Sequence, residues 1–312
     1  MLEKNNLQEC HKRIAPYIHK TPVLKSQAIN TLVGAQLYFK CENFQRMGAF
    51  KMRGATNAIL QLSEAQKRKG VVTHSSGNFA QAVSLAAKSI GISADIVMPT
   101  NAPEVKKNAV RGYNGTITFC EPTLEARENA ANKIVAEKGA TFIHPSNDMD
   151  VILGNATATI ELLEEQPDLD YIFAPIGGGG LIAGTALANY HFSKNCHVIG
   201  AEPSEADDAY RSLLSGKIEL NKNANTIADG LRTTLGSINF PIIQKHINLI
   251  IKVSEQEIIM AMRLIWERMK IVIEPSSAVA LAAVIKSQDK IHNQNIGIII
   301  SGGNVDLKKL PF

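Results

Sequence analysis

The chain reads as an α/β protein built from parallel βαβ units. Short apolar runs rich in Val, Ile and Phe alternate with helix-length segments along its whole length. Strands joined by helices of that length lie parallel in sheets that the helices cover. Serine, asparagine and glycine cluster directly after several of these runs, where open α/β sheets place their ligands.

Taken in order, Gln36 to Lys40 predicts a strand and Lys51 to about Ser63 a helix. Val71–His74 is a strand that leads through Ser75-Ser76-Gly77-Asn78 into a small-residue helix, Ala80 to Lys88. Asp95–Met98 is a strand ended by Pro99, with a helical stretch after Pro103. A strand (Thr116–Cys120), a helix (Thr123–Lys138) and a last short strand (Thr141–Ile143) close this series. Asp150 to Glu165 reads as a helix, and Tyr171–Ala174 as a buried strand running into Gly177-Gly178-Gly179-Gly180-Leu181. Helix, strand (His197–Ala201) and helix follow. Ile247–Val253, an amphipathic helix from Ser254, an alanine-rich helix after Pro275 and the strand Ile296–Ile300 complete the chain.

Composition narrows the function. The 312 residues suffice for two domains or one large one, and 45% hydrophobic content for a sizeable core. A net charge of +4, from 33 basic and 29 acidic residues without like-charged blocks, gives nucleic acid or an anionic membrane no footprint. Cys10, Cys41, Cys120 and Cys196 are far apart, as expected of reduced thiols in a cytoplasmic protein. Met1 to Asn6 is polar, unlike a signal peptide, and no apolar run reaches the roughly 18 residues that span a bilayer. Two N-x-T sequons, Asn114 and Asn155, are read as chance.

Three loops and one lysine carry candidate chemistry. Lys51 and Arg53 fit either a solvated basic helical turn or a reactive lysine between glycines. Ser75-Ser76-Gly77-Asn78 offers hydroxyls, an amide and free N–H groups to a carboxylate or phosphate, or is a plain helix cap. Four glycines, Gly177 to Gly180, let successive amides turn toward one anion at a helix N-terminus. No Walker lysine follows them. Ser301-Gly302-Gly303-Asn304 is either a closing turn or a neutral hydroxyl for a ring nitrogen.

A different enzyme class also fits the second loop. Gly178, Gly180 and Ala183 match G-x-G-x-x-A, and Glu202 follows after the next strand, as in an NAD-dependent oxidoreductase. That reading leaves Lys51, the serine loop and Ser301 without a task. A catalytically silent ligand-binding protein is a third reading.

An aldehyde, a phosphate and a pyridine ring would use a lysine, a glycine cradle and a hydroxyl together. The Lys51 stretch, the S-S-G-N loop, the four-glycine loop with leucine and the final S-G-G-N resemble the signature set of the fold-type II pyridoxal-phosphate enzymes. Within that group the chain is similar to the serine racemase and serine/threonine dehydratase family, from Thr21-Pro22-Val23-Leu24 to Asn304-Val305-Asp306-Leu307. The resemblance implies two open twisted α/β domains, tryptophan synthase β-like. A small domain (66–148) would be inserted into a large one (1–65 and 149–312), with pyridoxal 5'-phosphate in the cleft between them.

It also implies roles. Lys51 would hold the cofactor as a Schiff base and act as base, with Phe50 against the ring. Asn78 would bond the ring hydroxyl, Gly177, Gly178, Gly179, Gly180 and Leu181 would hold the phosphate, and Ser301 would face the pyridine nitrogen. Ser75, Ser76 and Gly77 would take the substrate carboxylate, with Arg127 and Thr233 near the distal end of the substrate. Ser76 would be the second acid/base, as in the racemase-like branch. Glu202, the Ala206 carbonyl and Asp208 would bind Mg²⁺ or Ca²⁺, a set of oxygen ligands suited to a hard cation. The bland alternative is an acidic first helical turn.

The implied activity is α,β-elimination of water from L-serine or L-threonine, giving a 2-oxo acid and ammonia, with serine racemisation beside it. threo-3-Hydroxyaspartate is an alternative substrate, and a homodimer the implied assembly. The chain departs from the family pattern at Phe79, where histidine is usual, at Ser146, where asparagine is usual, and in Gly154-Asn155-Ala156-Thr157 for G-Q-G-T. These positions are expected on the substrate side of the cleft. Ser26-Gln27-Ala28 keeps only the first serine of one edge of the family's ATP site, and nothing after Phe312 would form a regulatory domain.

Overall fold

A computed structural model describes residues 3–102, 104–221 and 223–312, so Met1, Leu2 and Pro103 of the segments above lie outside the described residues. Among the described residues, ten strands form two sheets. β1 (Val23–Leu24), β2 (Gln36–Cys41), β7 (Tyr171–Pro175), β8 (His197–Pro203), β9 (Leu249–Val253) and β10 (Asn295–Ile300) make a six-stranded sheet in the order β1-β2-β10-β7-β8-β9. β3 (Val71–His74), β4 (Ala94–Pro99), β5 (Thr116–Cys120) and β6 (Thr141–Phe142) make a four-stranded sheet, β5-β4-β3-β6. All pairings are parallel except β1 with β2.

Parallel strands need both faces covered, and the large sheet has an apolar core on each. One contains Leu37, Phe39, Phe173, Ile296 and Ile298; the other contains Ile172, Ala174, Ile250 and Ile299. Neighbouring strand residues point to opposite faces, so the uninterrupted run Ile298–Ile300 feeds both cores. A third core packs the small sheet against the helix Lys51–Leu60, through Met52, Ala55 and Ile59.

Every strand expected from the sequence is present within one or two residues of its expected ends. The expected Lys51 helix stops at Leu60, because Ser63 and Gln66 form a capping box that starts a second helix, Glu64–Lys69. Unanticipated are β1, the short helices Gln27–Val33 and Phe240–His246, and the helix Lys4–Ile14, which buries Leu7, Cys10 and Ile14 on one stripe of an otherwise polar surface. Helix Met149–Glu165 packs closely on Lys51–Leu60. A Cβ on Gly154 would lie 2.5 Å from the Arg53 carbonyl oxygen, so this crossing requires glycine. Asn155 is fully buried there, out of reach of any glycosylating enzyme.

Arg53 is not part of a solvated turn. It is fully buried and forks onto two carboxylates, donating to Glu42 at 2.7 and 2.9 Å and to Glu161 at 2.7 and 2.8 Å. Lys40, also fully buried, reaches Glu161 at 2.7 Å. Two cations and two anions thus close a buried network that clamps the Lys51 helix to β2 and to helix Met149–Glu165. Burial opposes ionisation of Glu161, but bonds from His11 and Arg53 hold its carboxyl well below the usual range.

Candidate active site

Lys51 is the first residue of its helix, and the turn before it is tied to the loop after β10. Phe50 N–H donates to the Ser301 carbonyl (3.0 Å), Gly303 N–H to the Gly48 carbonyl (2.9 Å), and Ala49 pairs with Gly302. Asn304 Nδ2 donates to the Met47 carbonyl (2.8 Å). Gly48 is needed twice over: its φ is +78°, and a Cβ there would lie 2.8 Å from Asn304 Oδ1.

The Lys51 ammonium donates to the Pro145 carbonyl at 3.2 Å, 4.8 Å from the Phe50 ring centroid and 5.8 Å from that of Phe79. Burial lowers its pKa to about 8, against the pull of Glu274. At neutral pH an appreciable fraction of this lysine is therefore an uncharged, nucleophilic amine. Next to Pro145, Ser146 packs on the glycine loop: a Cβ on Gly180 would lie 3.0 Å from Ser146 Cα. Lysine and glycine loop therefore border one space.

Gly177 to Gly180 follow β7 and start the helix Gly180–Phe192, whose cap, Gly179, has φ +85° and no capping side chain. A Cβ on Gly177 would meet the Gly230 carbonyl oxygen at 2.8 Å, and one on Gly179 would meet Asn239 Oδ1 at 2.6 Å. Asn239 Nδ2 in turn donates to the carbonyls of Gly178 (2.8 Å) and Ser146 (3.1 Å). The carbonyl side of the loop is thus tied down. The N–H groups of Gly177 through Leu181 have no acceptor among the described residues. Five uncommitted amides at a helix N-terminus fit a phosphate.

The serine loop repeats this design on the small sheet. Gly77 precedes the helix Asn78–Ile90 without a capping side chain. Ser75 Oγ accepts only the Gly77 N–H, at 3.3 Å, while the Ser76 hydroxyl and the amides of Ser76 and Phe79 make no bond among the described residues. Asn78 Nδ2 donates to both oxygens of Glu274, and its Oδ1 accepts from Asn304. Glu274 is buried; burial, then the charge of Asp229, push its carboxyl up to about 7. Ser301 is also buried, its Oγ 2.9 Å from Ser277 Oγ.

The structure thus brings Lys51, Phe50, the serine loop, Asn78, the glycine loop and Ser301 around one cleft at the carboxyl ends of β2, β3, β7 and β10. Thr233 lies beside the glycine loop, since a Cβ on Gly178 would meet its Oγ1 at 3.1 Å. Arg127 sits on the small-sheet side, its Nε donating to the Thr123 carbonyl and its charge acting on His74.

Two expectations change. Of the departing residues, Phe79 does line the Lys51 pocket. Ser146 instead buttresses the glycine loop, and Asn155 is buried between two helices with neither amide atom partnered among the described residues. The oxidoreductase reading loses its ribose ligand, because buried Glu202 accepts the N–H groups of Ala209 (3.1 Å) and Tyr210 (2.9 Å). That carboxylate caps helix Asp208–Ser215 from within. Asp208, equally buried, accepts from Asn221 (2.6 Å) and Leu235 N–H (3.1 Å). Burial raises both carboxyls, Asp208 to about 6, and the charge of Asp208 raises Glu202 further. The described residues contain no group of three or more His, Cys, Asp or Glu able to hold a metal.

Sequence reasoning passed over Glu274, Ser277, His144 and Asn239. His144 Nδ1 accepts the N–H groups of Ser146 (3.2 Å) and Asn147 (2.8 Å), shaping the turn that presents the Pro145 carbonyl. Burial, with help from His74 and Lys51, lowers its pKa to about 4, so it stays neutral. The available signal for Glu274 was Glu-Pro opening a helix; the others lack a local signature.

Comparison with known proteins agrees with this geometry. Residues 14–302 match the family model described as "Pyridoxal-phosphate dependent enzyme". The chain is 52% identical over 309 residues to serine racemase of Dictyostelium discoideum, covering 98% of this chain and 95% of that one. The crystal structure of that enzyme superposes with a TM-score of 0.94, covering 98% and 99% of the two chains. A beta-hydroxyaspartate dehydratase of Paracoccus denitrificans is 49% identical over 302 residues, covering 97% and 96%. A threonine deaminase of T.th., known from its crystal structure, is 39% identical with a TM-score of 0.93, covering 98% and 99%.

Proposed function

The chain belongs to the pyridoxal-phosphate-dependent enzyme family, and on that premise we propose that it is an ammonia-lyase and racemase of small β-hydroxy amino acids. The reaction proposed is loss of water from L-serine or L-threonine to give a 2-oxo acid and ammonia, with inversion of serine as the competing outcome. The observation that carries this reading is that Lys51 and the five uncommitted amides of Gly177–Leu181 border one space.

Pyridoxal phosphate, when bound, supplies an aldehyde that condenses with an amino group and a ring that withdraws electrons from the substrate Cα. Lys51 would hold the aldehyde end, Gly177–Leu181 the phosphate, Asn78 the ring hydroxyl and Ser301 the ring nitrogen, with Phe50 lining the lysine's side. The residues do the rest. Lys51, with its lowered pKa, is matched to taking a proton from Cα near neutral pH. The free amides and hydroxyls of Ser75, Ser76 and Gly77 orient the substrate carboxylate. Ser76 returns a proton on the opposite face in this reading, which its lack of an internal hydrogen-bond partner among the described residues supports. Return at that face inverts the amino acid; loss of the β-hydroxyl before return gives elimination.

We also propose a small domain of residues 66–148 facing a large domain of residues 1–65 and 149–312. Its support is the ion pair Lys106–Asp229, 2.5 Å, between the two sides. Glu202, the Ala206 carbonyl and Asp208 are proposed to take Mg²⁺ or Ca²⁺. Two buried carboxyls with raised pKa values, without a basic side chain bonded to either among the described residues, fit an added positive charge. A homodimer in the cytoplasm completes the reading; the family resemblance supports the first, and the unpaired buried thiols of Cys10, Cys41 and Cys196 support the second. Arg127 and Thr233 are proposed at the distal end of the substrate.

threo-3-Hydroxyaspartate is kept as a second substrate because the dehydratase named for hydroxyaspartate is 49% identical. A panel of L- and D-serine, L-threonine and threo-3-hydroxyaspartate, scored for ammonia, oxo acid and inverted product, tests the proposal. Turnover of at least one supports it; binding of cofactor without turnover of any leaves a silent binding protein.

A further inference from the structure

Ser277 is a second buried hydroxyl behind Ser301, and the proposed roles above leave it without a task. It lies in the first turn of the helix Pro275–Lys286 and is fully buried. Its Oγ lies 2.9 Å from Ser301 Oγ, accepts the Gly302 N–H at 2.7 Å and lies 2.6 Å from the Gly302 carbonyl oxygen. That carbonyl already accepts the Glu274 N–H at 3.1 Å. Ser301 Oγ has no other partner among the described residues.

Counting protons leaves two arrangements. Ser277 has one hydroxyl hydrogen. If it goes to the Gly302 carbonyl, the 2.9 Å contact is filled by the Ser301 hydrogen, and Ser301 shows the cleft only lone pairs. The 2.6 Å separation puts the Ser277 hydrogen on that carbonyl, since two oxygens that close need a hydrogen between them, and the second arrangement only turns the Ser301 hydrogen away from Ser277 and into the cleft. The Ser301 hydrogen is paired by Ser277 in the first arrangement and by an acceptor held in the cleft in the second, so the ligand decides between them. They differ in whether Ser301 offers the cleft a donor or an acceptor.

We infer that Ser277 is a positioning residue that makes Ser301 reversible, able to donate to a bare ring nitrogen or to accept from a group that has no lone pair there. Without Ser277, the Ser301 hydrogen has no internal acceptor and has to find one in the cleft. The inference rests on the proposed cofactor reading, which puts the ring nitrogen opposite Ser301.

The test is equilibrium binding to apoprotein of pyridoxal 5'-phosphate and of its 1-deaza analogue, in which C–H replaces the ring nitrogen. Wild type turns its Ser301 hydrogen inward for the analogue, so it discriminates weakly. In Ser277→Ala the hydrogen is stranded against the C–H, and the ratio of the two Kd values is expected to rise about tenfold. Loss of the Gly302 N–H partner weakens both ligands alike and cancels in the ratio. Ser301→Ala should bring the ratio back down in either background. Should the alanine variant not fold, Ser277→Cys, whose thiol is a poor acceptor, is expected to raise the ratio in the same direction. An unchanged ratio, with pyridoxal phosphate bound by the wild type, overturns the inference. Absence of wild-type binding would instead overturn the cofactor reading.

Discussion

Asn78 donates to both carboxylate oxygens of Glu274, at 2.9 and 3.0 Å, across the cleft between the two sheets. The bond holds the end of the serine loop against the helix behind Ser301, and it makes a buried acid part of the pocket. Burial and Asp229 raise that acid to about 7, so in the fold Glu274 stays protonated from its ordinary value near 4.5 up to about 7. Across that window the folded protein binds more protons than the unfolded chain, and stability falls as pH rises. Asp208 and Glu202 act in the same direction. Glu274→Gln is expected to reduce the slope of melting temperature against pH between 4.5 and 7 in apoprotein; an unaltered slope would place the titration elsewhere.

Arg53 is the keystone of the buried network. Arg53→Met leaves Glu42 and Glu161 facing each other with Lys40 as the one fully buried cation among the described residues, and is expected to cost about 3–5 kcal/mol. Denaturant unfolding measures this. A loss below about 1 kcal/mol would show that the carboxylates regain solvent.

Ser76 makes no hydrogen bond among the described residues, which leaves its hydroxyl uncommitted for the proposed proton return. Ser76→Ala is expected to depress serine racemisation at least about tenfold more than elimination from L-serine. The two activities are read from chiral product analysis and oxo-acid release. Equal losses would reduce Ser76 to a carboxylate ligand.

For the paired carboxyls Glu202 and Asp208, added Ca²⁺ or Mg²⁺ is expected to raise the melting temperature, and chelator to reverse the gain. Asp208→Asn should abolish the response. An identical response in wild type and variant would leave Glu202 as a helix cap alone.

The architecture was legible in the sequence because parallel strands buried on both faces are continuous apolar runs, and those runs end in loops with distinctive chemistry. Val23–Leu24 was missed because two residues have no period. Lys4–Ile14 was missed because its buried residues, Leu7, Cys10 and Ile14, are a thin stripe among charges. The motif positions Lys51, Asn78, Gly177–Gly180 and Ser301 were legible for their local pattern. Their partners were not. Glu274 and Ser277 become parts of the pocket only because the last helix packs behind β10, and Pro145 only because the turn after β6 folds over Lys51. The burial of Arg53 was not legible either, since its two carboxylates lie 11 residues before it and 108 after it. Such contacts have no signature in local sequence. Asn155 shows the reverse error: a position assigned to the cleft by motif lies in a helix crossing.

The central claim is that Lys51 carries pyridoxal phosphate. Borohydride reduction of the cofactor-loaded protein, followed by peptide mass spectrometry, tests it most directly. The account predicts a single pyridoxyl adduct on Lys51, absent from Lys51→Ala. An adduct on another lysine, or none in protein incubated with the cofactor, would contradict it.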